Sequence, residues 1–262
     1  MRTNAWDDRT VLGKAFSILD AFSPGDRWLR LADITERTGY PKATVHRLTT
    51  QLVEWGALQK IDNWLRLGSH LFEVGYMVPH FRVLREAAGP LLVDLHAQTK
   101  LTVKLAVLET AQWSTDVLFL DRLGGSSLQL EPAPVGGRGS AHSTALGKVM
   151  LAHSSDEVVD RVLGGQLAPA TEHTIIEASL LRRHLDGVRE AGVAFDLEET
   201  RPGVACVAAA VFPPCQQLAA VSVTASSRVN LQRFSSIVRD TAATLTRALR
   251  RARPPVPIAP PA

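Results

Sequence analysis

Between Val11 and Phe22 the apolar residues Leu12, Ala15, Phe16, Leu19 and Phe22 recur at three- and four-residue spacing. That is the repeat of a helix burying one face. Ser23-Pro-Gly-Asp ends it. Leu31 to Thr38 predicts a second, shorter helix closed by Gly39, and Pro41 opens a third that runs to about Trp55. Proline suits that first turn because its missing N–H has no helical partner there. Gly56 stops the third helix, and Ala57 to Leu67 reads as a two-stranded hairpin around Asp62-Asn63.

Leu71 to Thr99 is mostly helical in pattern, with interruptions expected near Pro79 and at Gly89-Pro90. The character then changes. Leu101 to Leu108, Val117 to Leu123 and Leu128 to Glu131 read as strands, followed by a Gly-rich loop, Val135-Gly-Gly-Arg-Gly-Ser. Helical patterns cover His142–His153, Asp156–Leu163 and Glu177–Ala191. Three more strands follow, Val193–Glu198, Val204–Phe212 and Leu218–Thr224, before a last helix from about Asn230 to Arg253. Strands, helices, strands and a helix in that order predict an α/β domain with an antiparallel sheet.

A chain of 262 residues is long enough for two ordinary domains. It holds 45% hydrophobic and 21% charged residues and carries a net charge of +3. That balance is compatible with nucleic acid without demanding it. No run approaches the ~20 apolar residues of a membrane span, and the first residues show no apolar signal core. A cytoplasmic location away from membranes is therefore expected. The two cysteines, Cys206 and Cys215, supply neither a disulfide framework nor a zinc site. The eight histidines show no metal-ligand spacing, so no metal or cofactor is expected.

Charge matters most on the third helix. Turned through ~100° per residue, Val45, Leu48 and Leu52 form its core stripe. The opposite face carries Ala43, Arg47 and Thr50, flanked by Thr44, His46 and Gln51, with Lys42 in the first turn. From Arg37 to Val53 there is no Asp or Glu. A helix that lies in a polyanionic groove needs that absence as much as it needs cations. Arg47 can pair a guanine edge, while Lys42 and the helix N-terminus suit a phosphate. With the helix before it and the turn Thr38-Gly39-Tyr40, this makes a helix-turn-helix. The hairpin becomes a wing on which Arg66 can reach the DNA backbone or minor groove. The competing reading is a three-helix domain whose polar face meets only water.

Leu31-Ala-Asp-Ile-Thr-Glu-Arg-Thr-Gly-Tyr-Pro-Lys-Ala-Thr-Val-His-Arg-Leu resembles the recognition motif of the IclR family of bacterial transcription regulators. The resemblance continues through Leu65-Arg-Leu-Gly, His142-Ser-Thr-Ala-Leu-Gly-Lys, Phe195-Asp-Leu-Glu-Glu, Gly203-Val-Ala-Cys-Val-Ala-Ala and Ala219-Ala-Val-Ser-Val-Thr. These blocks stand in the family's order over roughly residues 11 to 250. The resemblance implies a two-domain α+β / α/β chain. A winged helix-turn-helix is expected over 8–69, a linker helix over 70–84 and a GAF-like α/β effector-binding domain over 85–253, with a disordered Pro-rich tail over 254–262. It also implies homodimers or tetramers on palindromic or repeated double-stranded DNA operators. Two departures stand out. Ala43 occupies a position where the family usually has serine, and Trp64-Leu65 makes the short wing unusually apolar.

The same resemblance places a small-molecule effector between the sheet and the helix that begins near His142. The matching positions are Ala145, Leu146, Asp196, Cys206, Ser222 and Thr224, with Leu128 or Leu130 as an apolar wall. Ser222 and Thr224 alternate onto one strand face and can donate hydrogen bonds. Backbone N–H groups after Gly139, at a helix N-terminus, favour a carboxylate. A small organic acid is thus the expected ligand, ahead of a neutral or aromatic one, and Leu146 is expected to narrow the pocket. The opposing reading has Ser222 and Thr224 bonded to backbone, Cys206 as a core hydrophobe and Asp196 as a turn cap.

The expected protein is a repressor rather than an enzyme, with operator affinity set by its ligand and a message carried through Leu71 to Phe81. A DNA-binding protein whose C-terminal domain only oligomerises is the alternative. A hydrolase built on Cys206 and His142 is a remote one. A phosphate loop at His142–Lys148 is rejected because glycine is needed at His142 and Ser or Thr at Val149.

Overall fold

The computed structural model describes residues 10–23, 25–111, 114–124, 134–214 and 217–252. Leu128, the predicted strand around it, Cys215 and the Pro-rich tail lie outside the described residues. The chain separates into two compact units between Pro79 and His80.

In the first unit, α1 (Val11–Asp20) is followed by a two-residue strand, β1 (Leu29–Arg30), then α2 (Leu31–Thr38), α3 (Lys42–Glu54), β2 (Leu58–Ile61) and β3 (Trp64–Leu67). The hairpin turns at Asp62, which adopts positive φ. It becomes a three-stranded sheet because β1 pairs with β3. Two residues are too short to show any period, so sequence pattern missed β1. α4 (Ser69–Tyr76) completes the unit.

Ile18, Ile34, Val45, Leu48, Leu58 and Leu65 form its buried core. The stripe predicted on α1 is only half right. Leu19 and Phe22 pack on the core, but Leu12 and Phe16 are exposed. The buried face carries Gly13, Ser17 and Ile18 instead. Ser17 satisfies its hydroxyl on the Gly13 carbonyl at 2.9 Å and accepts a bond from Tyr40 at 3.1 Å. A small polar side chain with partners at hand can therefore face inward.

In the second unit α5 runs unbroken from Pro79 to Thr99, with Pro90 inside it. The interruption expected at Gly89-Pro90 does not occur. Leu84, Ala88, Leu92 and Leu95 bury one stripe of this helix, and that packing outweighs the ~3 kcal/mol cost of an internal proline. The interruption expected near Pro79 does occur, since α4 ends at Tyr76 and α5 starts at Pro79.

Six strands form an antiparallel sheet in the order β6-β5-β4-β9-β8-β7. They are β4 (Thr102–Ala111), β5 (Ser114–Leu123), β6 (Arg138–Ser140), β7 (Ala194–Leu197), β8 (Val204–Val211) and β9 (Ala219–Ser226). β6 lies in the stretch read as a Gly-rich loop, where Gly139 allows Phe119 to approach closely. One face of the sheet packs on α5 and α9 (Ser235–Arg251). The other packs on α6 (Ala145–Ala152), with α7 (Asp156–Leu163) and α8 (Ala178–Ala191) behind it. α6 starts three residues later than predicted, because the Thr144 hydroxyl caps it by accepting from the Gly147 N–H at 3.0 Å. No helix among the described residues is long and apolar enough to cross a membrane.

Candidate DNA-reading face and ligand site

α3 is positioned from both ends. Gly39 closes α2 with φ 69°, a left-handed conformation that glycine adopts without strain. Pro41 then opens α3. Arg37, the cation nearest this turn, is committed elsewhere. It donates to the Ala21 carbonyl at 2.9 Å and pairs with Asp26, whose carboxyl it holds below the usual range.

Val45, Leu48 and Thr49 are the buried residues of α3, with Leu52 half-buried against the same core. Lys42, Ala43, His46, Arg47, Thr50 and Gln51 are exposed, and Thr44 is intermediate. The structure thus brings the seven predicted α3 residues onto the outward side of one helix. Thr50 donates its hydroxyl to the His46 carbonyl at 2.9 Å, leaving its oxygen lone pairs for a donor.

Beside this face, α2, α3 and the hairpin border a cleft of about 550 Å³ lined by Arg30, Lys42, His46, Lys60 and Asn63 among others. On the wing, Arg66 is exposed but not idle. It donates to Gln59 at 2.7 Å and lies 4.8 Å from the Trp28 ring centroid. Arg30 stacks 4.4 Å from the Trp64 ring. The apolar wing residue therefore serves as a platform for a cation.

In the second unit, strand register gathers the other set. Lys104 stands opposite Ser222, Ser222 opposite Ala208, and Cys206 opposite both Thr224 and Asp196. With the start of α6 above them they enclose a cavity of only about 20 Å³. It is lined by Lys104, Phe119, Thr144, Ala145, Leu146, Asp196, Thr200, Cys206, Ser222 and Thr224. Six of the seven predicted effector residues are there; Leu128 lies outside the described residues. That volume suits about one water. Any ligand of several atoms must displace a wall, and Leu146 is the bulky aliphatic one.

The polar groups differ in how far they are already engaged. Asp196, 1% exposed, accepts from Glu199 N at 2.8 Å, Thr200 N at 3.3 Å and Thr200 Oγ1 at 2.5 Å. It shapes the turn after β7, and burial pushes its pKa up. The Cys206 thiol lies 3.1 Å from Thr224 Oγ1, and burial pushes its pKa to about 12. Ser222 Oγ has no hydrogen-bond partner among the described residues.

Gly139 lies in β6, and at the start of α6, where backbone N–H groups are expected to favour a carboxylate, the Gly147 amide is taken by Thr144. The Cys–His pair of a hydrolase does not form. His142 is bonded to Ser140 Oγ at 2.6 Å and the Ala168 carbonyl at 3.1 Å, and a thiol with a pKa near 12 is not a thiolate.

Sequence reasoning passed over Lys104, Phe119, Thr144 and Thr200. Lys104 left a signal, a lone charge amid the apolar residues of β4. It also passed over a buried ion pair, Lys148 on α6 with Glu199 beyond β7. Those partners sit at the ends of two of the recognised sequence blocks.

The sequence profile described as the IclR helix-turn-helix domain matches residues 11–62. The profile described as the C-terminal domain of the bacterial transcriptional regulator IclR matches residues 78–247. The chain is 31% identical over 244 residues to the HTH-type transcriptional regulator XynR of Escherichia coli, covering 90% of this chain and 95% of that protein. It is 29% identical over 217 residues to the transcriptional repressor IclR of the same organism, covering 81% and 78%. Among solved structures, an IclR homolog from Microbacterium hydrocarbonoxydans complexed with 4-hydroxybenzoate superposes with a TM-score of 0.83 at 27% identity. That match covers 92% of this chain and 99% of the other.

Proposed function

Because the chain belongs to the IclR family of bacterial transcriptional regulators, we propose that it is a cytoplasmic repressor whose hold on its operator is set by a small organic acid. The observation that carries the DNA half of this reading is the exposed face of α3, which carries no Asp or Glu before Glu54 in its last turn. Lys42, Ala43, Thr44, His46, Arg47, Thr50 and Gln51 read or clamp the duplex there, and Arg66 reaches it from the wing. In this reading Arg47 contacts a base edge and Lys42 a phosphate. Similarity to a protein called a transcriptional repressor supports repression.

The ligand half rests on the cavity under α6. It joins Ala145, Leu146, Asp196, Cys206, Ser222 and Thr224, and one of its hydroxyls is buried without a partner among the described residues. A similar structure holding 4-hydroxybenzoate, a carboxylate, supports an acid as the class of ligand. The chain acts as a homodimer or tetramer. Two copies of α3 enter major grooves about one helical turn apart, on a palindromic or repeated site. A ligand that prefers one arrangement shifts operator affinity by ~1–3 kcal/mol.

Fluorescence anisotropy at near-physiological salt tests the reading, with DNA from just upstream of the protein's own gene against a scrambled duplex. Specific binding exceeds binding to the scrambled duplex by roughly 10³-fold or more. Arg47→Ala costs ~1–3 kcal/mol and relaxes discrimination at one base pair. Undiminished binding by that variant removes Arg47 from base reading. If neither duplex is bound, the proposed role of α3 is wrong.

A further inference from the structure

The apolar wing has a definite layout. Ile61 faces Trp64 across the hairpin beside its turn, and Arg30 faces Trp64 from β1. Residues directly opposed in a sheet point to the same side, so these three form one row at the hairpin tip. The adjacent pair, Leu29 and Leu65, is buried in the core, whereas Ile61 and Trp64 are 49% and 39% exposed. Arg30 lies 4.4 Å from the centroid of the Trp64 ring. A guanidinium stacked on a ring keeps the N–H donors in its own plane for another partner. Asp33 accepts from the Arg30 backbone amide at 2.7 Å, and no ion pair of Arg30 is found among the described residues. Arg66, two residues back from the tip, is bonded to Gln59 and lies against Trp28. Within the tip Lys60 and Asp62 cancel, so Arg30 gives it a net positive charge.

The cleft beside α3 relates this tip to a duplex. Lys42, His46 and Thr50 of α3 line it, as do Lys60 and Asn63 of the hairpin. Cations from both elements suit a phosphate strand. Glu54 also lines the cleft, but it lies about 18 Å along α3 from Lys42 at 1.5 Å per residue. In a duplex a sugar–phosphate strand separates the major groove from the minor. With α3 in the major groove and a strand in the cleft, the hairpin tip meets the minor groove.

Resting on the reading that α3 enters the major groove, we infer that Arg30 reads the minor groove beside each half-site and that Trp64 is the residue that positions it. A·T-rich duplex has a narrow minor groove whose strong negative potential draws in an arginine. A G·C pair places the guanine N2 amino group, a donor, where a guanidinium needs an acceptor. The chain therefore prefers A·T pairs flanking those that α3 reads.

The test uses the full-length protein and the duplex from upstream of its own gene, made in three versions. The pairs within about half a helical turn of those that α3 reads, roughly five, are all A·T, all G·C or all inosine·cytosine. Inosine lacks the N2 amino group, so its pair with cytosine shows the major groove of G·C and the minor groove of A·T. By anisotropy, wild type binds the A·T and inosine·cytosine versions about fivefold or more tightly than the G·C version. Arg30→Ala binds the three versions alike and still discriminates at the base pair assigned to Arg47. Trp64→Ala does the same, and Trp64→Phe keeps the preference because a ring remains under the guanidinium. Arg30 is exposed and holds Asp33 through its backbone amide, so its substitution spares the fold.

Equal wild-type binding to all three versions overturns the inference and leaves the role of α3 standing. So does inosine·cytosine ranking with G·C, which is the mark of major-groove reading, or a preference that survives Arg30→Ala. If wild type binds no version, the inference falls together with the role proposed for α3. Should Trp64→Ala not fold, Arg30→Ala and Trp64→Phe decide.

Discussion

At the scale of single residues, His142 shows how burial sets chemistry. Ser140 Oγ is 2.6 Å from its Nδ1 and the Ala168 carbonyl 3.1 Å from its Nε2. A neutral ring protonated on Nε2 satisfies both, accepting from the serine hydroxyl and donating to the carbonyl. Burial lowers its pKa, and the charge of Lys148 adds to the effect. The unfolded imidazole takes up a proton as pH falls through ~6.5, while the folded one resists until lower pH. Across that window the unfolded chain binds more protons, so this contribution to stability is present above ~6.5 and is lost on acidification. His153 and His184 act in the same direction, their pKa values also lowered by burial. Asp196 and Glu199, raised by burial, act in the opposite one. A difference measurement isolates His142. The gap in melting temperature between wild type and His142→Gln narrows from pH 7 to pH 5, and the ring titrates below 6.5 by NMR. A constant gap, or a normal titration, contradicts the assignment.

At the scale of elements, most of the architecture was legible because period and punctuation agree. Gly39 and Pro41 frame α3, and alternation in Leu218–Thr224 marks β9. What sequence missed has physical causes. Pro90 stays helical because tertiary packing outweighs local preference. α6 is buried along its whole length, so no polar face marked where it begins. The cavity residues contributed by neighbouring strands, above all Lys104, become partners only through a register that sequence periodicity does not disclose.

The seat of α6 is a sensitive point of the proposed ligand site. A Cβ added at Gly147 would lie 2.3 Å from the Ala141 carbonyl oxygen and 2.5 Å from its Cα. Backbone cannot yield as a side-chain tip can. Gly147→Ala therefore destabilises the second unit by ~1–3 kcal/mol and shifts the cavity wall. Gly187→Ala, in α8 with open space around it, is neutral or stabilising by up to ~1 kcal/mol. Denaturant melts of the two variants check this pair, and equal effects would mean that the close approach at Gly147 is relaxed in solution.

At the scale of the whole molecule, the proposed repression needs more than one copy of α3, since a single helix-turn-helix reads only a half-site. The first unit leaves large apolar side chains in solvent. Leu12 on α1 is 73% exposed and Phe72 on α4 is 71% exposed. Neither contributes to the unit's own core, so substitution there spares folding. Contiguous exposed apolar surface is a feature of association surfaces, and around α4 Val74, Tyr76 and Met77 stand exposed beside Phe72. A carboxylate introduced at each opposes burial against a second copy, because an ionised group is costly to desolvate. Leu12→Glu combined with Phe72→Glu therefore shifts sedimentation toward the monomer. It also lowers operator affinity by more than the loss of any one base contact, because the second half-site no longer binds intramolecularly. Binding of small carboxylates in the second unit persists in that variant if the ligand site is complete within one chain. Its loss along with the dimer would instead place a second copy in the site. Sedimentation and operator affinity both matching wild type would put the assembly surface elsewhere on the chain.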